Sequence, residues 1–100
     1  VTALSGSGPA YFFSFVESMI KSGIKLGLSE EIATKLAIGT IIGSAAMLEE
    51  SGIDAATLRK NVTSPNGTTA AALEIFNSNK LEEIIHEAMS AAKKRSQELA

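Results

Sequence analysis

Residues 61–76, NVTSPNGTTAAALEIF, decide between two folds for this chain. Asn66-Gly67 is a dipeptide typical of two-residue β-hairpin turns, which would place a strand on each side of it. However, Pro65 comes directly before it, and the residues after it, TTAAALEI, are patterned as a helix rather than alternating as in a strand. We therefore predict a turn that leads into a helix beginning near Gly67.

Stop and cap signals divide the rest of the chain into further helices. Gly27 and Gly52 are typical of the position just after a helix, where a left-handed backbone is common. Ser29 and Asp54 each come two residues later and are preferred N-cap residues for a new helix. Pro9 fits the first turn of the first helix. The sequence therefore predicts an all-α fold, a bundle of about five helices in one domain over residues 1–100.

The composition is apolar for a small chain and indicates a partner. Of the 100 residues, 45% are hydrophobic and 5% aromatic, and the first helix is apolar on most sides, which predicts burial on most sides. The simplest account is that a second copy or another domain covers part of this surface. Gly39 and Gly43 lie four residues apart on one face of the second helix. They indicate close approach of another backbone, either within the domain or in a second subunit.

Several classes of function are not expected from the composition. The formal net charge of −2 does not favour nucleic acid or an anionic membrane surface. With no cysteine and a single histidine, His86, we predict no metal site. The longest uncharged run in a helical pattern, residues 36–48, is shorter than the ~20 residues of a membrane span. Because no signal-peptide pattern is present we expect a cytoplasmic protein, and a start at Val1 suggests a piece of a longer one.

The polar residues before the fourth helix have the properties of an anion site. The first four N–H groups of a helix lack internal partners and lie at the positive end of its dipole. Gly67 would let a ligand approach the backbone closely. Ser64, Thr68 and Thr69 add hydroxyl donors at the same point. A carboxylate or phosphate is therefore one candidate ligand, and the alternative is that these hydroxyls merely cap the helix.

The same loop lacks groups for redox or acyl chemistry. No neighbouring residue in the sequence is an obvious nucleophile or general base. We therefore expect this segment to position and polarise a substrate rather than to react with it alone.

The sequence resembles the C-terminal domain of the pyrroline-5-carboxylate reductase family over essentially its whole length. The family motif around the loop is matched by Val62, Thr63, Ser64, Asn66, Gly67, Thr69, Ala72 and Leu73. A second match is SGSGPAY near the start of the chain, and further matching segments are GLSEEIATKLA, SAAMLEESG and AAKKRSQEL.

The resemblance implies a two-domain enzyme of which this chain is the C-terminal substrate-binding and dimerisation domain. A Rossmann domain that binds NADPH or NADH would precede it, and no G-x-G-x-x-G pattern of that kind occurs here. The helical domain would intertwine with a second copy to form a homodimer, which could assemble further. The implied reaction is the reduction of 1-pyrroline-5-carboxylate to L-proline, the last step of proline biosynthesis. This chain alone would then be inactive.

The resemblance also implies roles for residues in the loop. Ser64, with the backbone N–H groups of Gly67 and Thr68, would hold the substrate carboxylate, and Asn66 belongs to the same substrate-binding set. Thr69 would be the catalytic hydroxyl nearest the ring imine nitrogen.

One further residue is implied for the cofactor, and two alternative functions remain. Asn61 would help to hold the nicotinamide end of the dinucleotide. One alternative is a non-catalytic helical dimerisation module that keeps the loop only as a helix cap. The other is an imine reductase of the same fold with a different substrate.

Overall fold

The computed structural model describes residues 1–100 and contains five α-helices and no β-strand, which confirms the all-α fold. The helices are α1 (Gly8–Lys25), α2 (Glu30–Ser51), α3 (Ala55–Asn61), α4 (Thr68–Ser78) and α5 (Leu81–Leu99). A single π-helical turn, Thr2–Gly6, precedes α1. The chain divides into two compact units, residues 8–52 and residues 1–7 with 53–100, so the single domain expected over residues 1–100 stays a prediction.

Residues 8–52 form a helical hairpin of α1 and α2 whose ends follow the signals in the sequence. Gly27, with φ of 110°, lies between the two helices. The Ser29 hydroxyl accepts a hydrogen bond from the Ile32 N–H at 3.2 Å and so caps α2, which ends at Gly52 with φ of 68°. The left-handed backbone at both glycines confirms their predicted role as helix stops.

The helical hairpin buries very little of its apolar surface. Ala33 and Ala37 are its only buried hydrophobic residues, and a Cβ placed on Gly23 would lie 3.3 Å from that of Ala33, so the two helices are close there. By contrast, Phe13 of α1 is 70% exposed and Leu36 of α2 is 57% exposed. The prediction that the first helix is buried on most sides is therefore wrong for the chain by itself, because two helices can cover only one face of each other.

The glycine face of α2 is also open. A Cβ added to Gly39 or to Gly43 would meet no atom within 4 Å. Of the two explanations for these glycines, tight packing of α1 against them within the hairpin is therefore excluded. Each glycine costs about 1 kcal/mol of helix stability relative to alanine, and no contact in this chain offsets that cost.

By length and composition alone, α2 could cross a membrane. Its 22 residues are long enough, but charged residues lie near both ends. The uncharged part, residues 36–48, is roughly 20 Å long at 1.5 Å per residue, shorter than a hydrocarbon core of about 30 Å. The core helix of a soluble protein passes the same test of length and composition, so the test alone does not decide.

The second unit contains the π-helical turn and helices α3, α4 and α5. Asp54 caps α3 by accepting hydrogen bonds from the Thr57 N–H at 3.2 Å and from the Thr57 hydroxyl at 2.7 Å. These bonds, the hydroxyl one foremost, hold the pKa of Asp54 below its ordinary value of 3.8. Lys80 joins α4 to α5 in a left-handed conformation with φ of 59°.

Candidate functional site

The predicted loop forms a tight turn directly before α4. The Gly67 N–H donates a hydrogen bond to the Ser64 carbonyl at 3.1 Å, which closes a four-residue turn. Pro65 occupies the second position, and Asn66 occupies the third with φ of 59°. Proline followed by a residue with positive φ is the pattern of a type II turn. The turn thus confirms that Asn66-Gly67 leads into a helix rather than a hairpin.

The turn leaves the start of α4 without a cap. Gly67 is the N-cap residue and has no side chain to offer, and the first helical hydrogen bond runs from the Ala71 N–H to the Gly67 carbonyl at 3.1 Å. The N–H groups of Thr68, Thr69 and Ala70 consequently have no acceptor within the chain. The interpretation that the loop hydroxyls merely cap this helix is therefore not what the structure shows.

Glycine is favoured at position 67 for reasons of space. Its φ of −87° and ψ of −177° are extended values that any residue adopts. A Cβ added there would collide with the Ser64 hydroxyl oxygen and lie 3.2 Å from the Ser64 carbonyl. The sequence suggested that Gly67 admits a ligand, whereas the structure shows that the Ser64 side chain already occupies the space beside it.

The hydroxyl groups of the loop differ in whether they are free to bind a ligand. The Thr63 hydroxyl donates to the Arg59 carbonyl at 2.5 Å, at the end of α3. The hydroxyls of Ser64, Thr68 and Thr69 make no hydrogen bond within the chain. Ser64 and Thr68 are exposed and Thr69 is half-buried. Three free hydroxyls therefore accompany three free N–H groups at one helix end.

The charges near the loop also favour an anion. Arg59 and Lys60 lie in the last turn of α3, and neither is part of an ion pair. No aspartate or glutamate occurs between residues 59 and 73. The positive end of the α4 dipole adds to this field. The surroundings therefore attract a carboxylate rather than repel it.

The remaining site prediction is Asn61, the last residue of α3. Its side chain is exposed and makes no hydrogen bond within the chain. An amide offers both a donor and an acceptor, which suits the carboxamide of a nicotinamide. All six predicted site residues lie in one segment, 61–69.

Pro65 is a residue of the turn whose role was not predicted from the sequence, where it served only as evidence against a hairpin. Its fixed φ is the signal that could have assigned it to the second position of the turn.

Comparison with known proteins matches the chain to one protein family over almost its whole length. Residues 1–99 match the family model described as pyrroline-5-carboxylate reductase dimerisation. The chain is 51% identical over 100 residues to a pyrroline-5-carboxylate reductase of Pseudomonas aeruginosa, covering all of this chain and 37% of that protein. It is 44% identical to the enzyme of that name from Mycobacterium leprae, covering 99% of this chain and 40% of the relative.

Two solved structures are similar to the fold. A pyrroline-5-carboxylate reductase from Coxiella burnetii aligns with a TM-score of 0.95 and 41% identity, covering 99% of this chain and 37% of that one. The pyrroline carboxylate reductase of Plasmodium falciparum, solved with NADP bound, aligns with a TM-score of 0.91 and 40% identity, covering 95% and 38% of the two chains. The present chain thus spans about two fifths of the length of its relatives.

Proposed function

Because the chain belongs to the pyrroline-5-carboxylate reductase dimerisation family, we propose that its parent protein reduces 1-pyrroline-5-carboxylate to L-proline with NADPH or NADH. The observation that carries this proposal is the uncapped start of α4, where the Thr68 and Thr69 N–H groups have no partner beside a matching family motif. A cytoplasmic location and a role in the last step of proline biosynthesis belong to the same proposal.

The substrate carboxylate binds at the start of α4. The resemblance assigned it to the Ser64 hydroxyl and to the N–H groups of Gly67 and Thr68. Since the Gly67 N–H is donated to the Ser64 carbonyl, we assign the carboxylate to the N–H groups of Thr68 and Thr69 with the Ser64 hydroxyl. Hydrogen bonds to a charged group contribute about 1.5–3 kcal/mol each, so such a set can orient a small ligand.

The reduction requires a hydride that these residues do not supply. A reduced nicotinamide would deliver it to the imine carbon of the substrate. In this chain only Asn61 is assigned to that group, through its free side-chain amide. We assign the rest of the dinucleotide site to an N-terminal domain outside residues 1–100. The isolated chain should therefore have no reductase activity.

Thr69 is the proposed catalytic residue. Its N–H is assigned to the carboxylate, which would bring its hydroxyl close to the ring of a substrate as small as a five-membered imine. A hydroxyl can both donate and accept a hydrogen bond, so it can hold the proton at the ring nitrogen while the neighbouring carbon is reduced. The substrate reacts as the protonated imine, so the hydride adds to its ring carbon and the nitrogen keeps its proton in the product amine.

The helical hairpin is the proposed dimer surface. Its apolar side chains are exposed in the single chain, and nothing in the chain approaches Gly39 or Gly43. A second copy, intertwined through α1 and α2, would cover these side chains and place a backbone against the glycines. Burial of a large aliphatic or aromatic side chain contributes roughly 1.5–3 kcal/mol, and many such side chains must be covered together to exceed the cost of association, about 4–15 kcal/mol. We also propose that dimers can assemble into larger oligomers.

The test of this function is the variant Thr69→Ala in the full-length protein. We expect kcat with 1-pyrroline-5-carboxylate to fall about a hundredfold or more, the usual range for a lost acid–base group. Thr63→Ala is the matched control, because the Thr63 hydroxyl is already donated to the Arg59 carbonyl. It should keep kcat within a few-fold of wild type.

Three results would contradict the proposal. Unchanged turnover in Thr69→Ala would remove the role of that hydroxyl. Absence of any imine reduction by a full-length protein that binds no nicotinamide would leave a helical dimerisation module without catalytic duty. Reduction of other cyclic imines but not of 1-pyrroline-5-carboxylate would indicate the related imine reductase.

A further inference from the structure

We propose that Asn66 is a positioning residue of the carboxylate site, acting through its left-handed backbone and not through its side-chain amide. The inference rests on the proposed function, because it concerns how the Thr68 and Thr69 N–H groups are directed at the substrate. It changes the role of Asn66 from a ligand of the substrate to the residue that sets the direction in which α4 begins.

The side chain of Asn66 has no structural duty in the loop. It is exposed, and it makes no hydrogen bond within the chain. The backbone, in contrast, carries φ of 59° at the third position of the turn closed by the Gly67 N–H and the Ser64 carbonyl. Few residues adopt this region without cost, and asparagine is several-fold enriched there. The positive φ is therefore sufficient to explain why an asparagine occupies this position.

The consequence for the site follows from chain order. Asn66 directly precedes Gly67, the N-cap residue, and the free N–H groups begin one residue later. A residue that avoids positive φ at position 66 would either be strained there or require the peptide between residues 65 and 66 to turn over. Either change lies one residue before the N-cap of α4 and would displace the free N–H groups that follow it.

The chain contains a matched control for backbone strain. Lys80 has the same φ of 59° and also adjoins α4, but at its opposite end, eleven or more residues from the proposed ligands in the sequence. A β-branched residue at either position imposes the same kind of strain. Only position 66 should link that strain to substrate binding.

The experiment compares Asn66→Gly, Asn66→Val and Lys80→Val in the full-length protein. Steady-state reduction of 1-pyrroline-5-carboxylate gives KM for the substrate and for the nicotinamide, and thermal unfolding gives Tm. We expect Asn66→Gly to keep the substrate KM within about twofold, because glycine retains the left-handed backbone. Asn66→Val should raise that KM about tenfold while the nicotinamide KM stays unchanged. Lys80→Val should lower Tm and leave both KM values unchanged.

Other outcomes overturn the assignment. A substrate KM raised as much in Asn66→Gly as in Asn66→Val would show that the amide itself contacts the substrate. A wild-type KM in Asn66→Val would show that the backbone conformation is irrelevant, and if valine prevents folding, Asn66→Ala decides the same point with less strain. A wild-type protein that does not reduce the imine refutes the proposed function and this role with it, whereas failure of the variants alone refutes only the role of Asn66.

Discussion

The helical hairpin of residues 8–52 and the loop of residues 61–69 obtain their structure from opposite sources. The loop is fixed by its own short-range hydrogen bonds, such as the turn closed between Ser64 and Gly67. The helical hairpin has well-formed helices but buries only two alanines and leaves its large apolar side chains exposed. The comparison teaches that the loop is formed by contacts within one chain, whereas the large apolar side chains of the hairpin are left without cover there.

The largest effect should come from a charge placed on the hairpin surface. Leu36→Asp would bury an unpaired carboxylate if a second copy covers α2, which costs about 3–5 kcal/mol. We expect loss of the dimer by sedimentation analysis together with a large fall in Tm. Lys35→Asp is the neighbouring control, since Lys35 is exposed and pairs only with Glu31 at 3.9 Å. A Leu36→Asp protein as dimeric and stable as Lys35→Asp would contradict the contrast between hairpin and loop.

The next effect should come from filling the space inside the loop. Gly67→Ala would place a Cβ against the Ser64 hydroxyl, and such overpacking costs typically about 1–3 kcal/mol. Chemical denaturation of Gly67→Ala should show this loss. The double variant Ser64→Ala with Gly67→Ala should recover part of it, because only the hydroxyl oxygen collides. Equal stability of Gly67→Ala and wild type would show that the loop is not fixed by its own contacts.

A smaller effect is expected at Gly43, where the direction of the change in stability is informative. Gly43→Ala would raise helix stability by about 1 kcal/mol if the glycine face of α2 stays open as it is in the single chain. Because we propose that a second backbone packs there, we expect the opposite, a dimer weakened by a comparable amount. Measurement of Tm at high and low protein concentration separates the two contributions. A higher Tm at both concentrations would remove Gly43 from the proposed interface.

The smallest effect concerns pH and lies in the second unit. The pKa of Asp54 is below 3.8 in the folded chain because it accepts hydrogen bonds from Thr57. A depressed folded pKa contributes stability that is fully present above the unfolded pKa and is lost as pH falls through the folded value. Wild-type protein should therefore lose a little more stability than Asp54→Asn between pH 5 and pH 2. Parallel Tm profiles for the two proteins would contradict this cap.

The sequence was sufficient wherever structure depends on neighbours in the chain. Ser29, Asp54 and Gly52 act as predicted, because caps and stops are local. The π-helical turn Thr2–Gly6 was not predicted, since its bond from the Ser7 N–H to the Thr2 carbonyl has no residue signature. The left-handed backbone at Lys80 was not predicted either, because lysine is not a residue typical of that conformation.

Burial and the reason for each glycine could not be predicted in the same way. An apolar helix looks the same in sequence whether its own chain or a partner covers it, so the exposure of α1 required coordinates. At the candidate site, the sequence predicted a set of residues but did not show which of their polar groups are already hydrogen-bonded within the chain. Only the structure shows that the Ser64 carbonyl accepts the hydrogen bond that closes the turn. It also shows that the Thr63 hydroxyl donates to the Arg59 carbonyl at the end of α3.

The most direct measurement of the central claim is the oxidation of NADPH or NADH by the full-length protein with two substrates. One is 1-pyrroline-5-carboxylate, and the other is 1-pyrroline, which lacks the carboxylate. If the start of α4 binds that group through two or more charge-assisted hydrogen bonds, kcat/KM should be at least about a hundredfold higher for the carboxylate, with L-proline as the product. Equal kcat/KM values for the two imines, or no oxidation with either, would contradict the account.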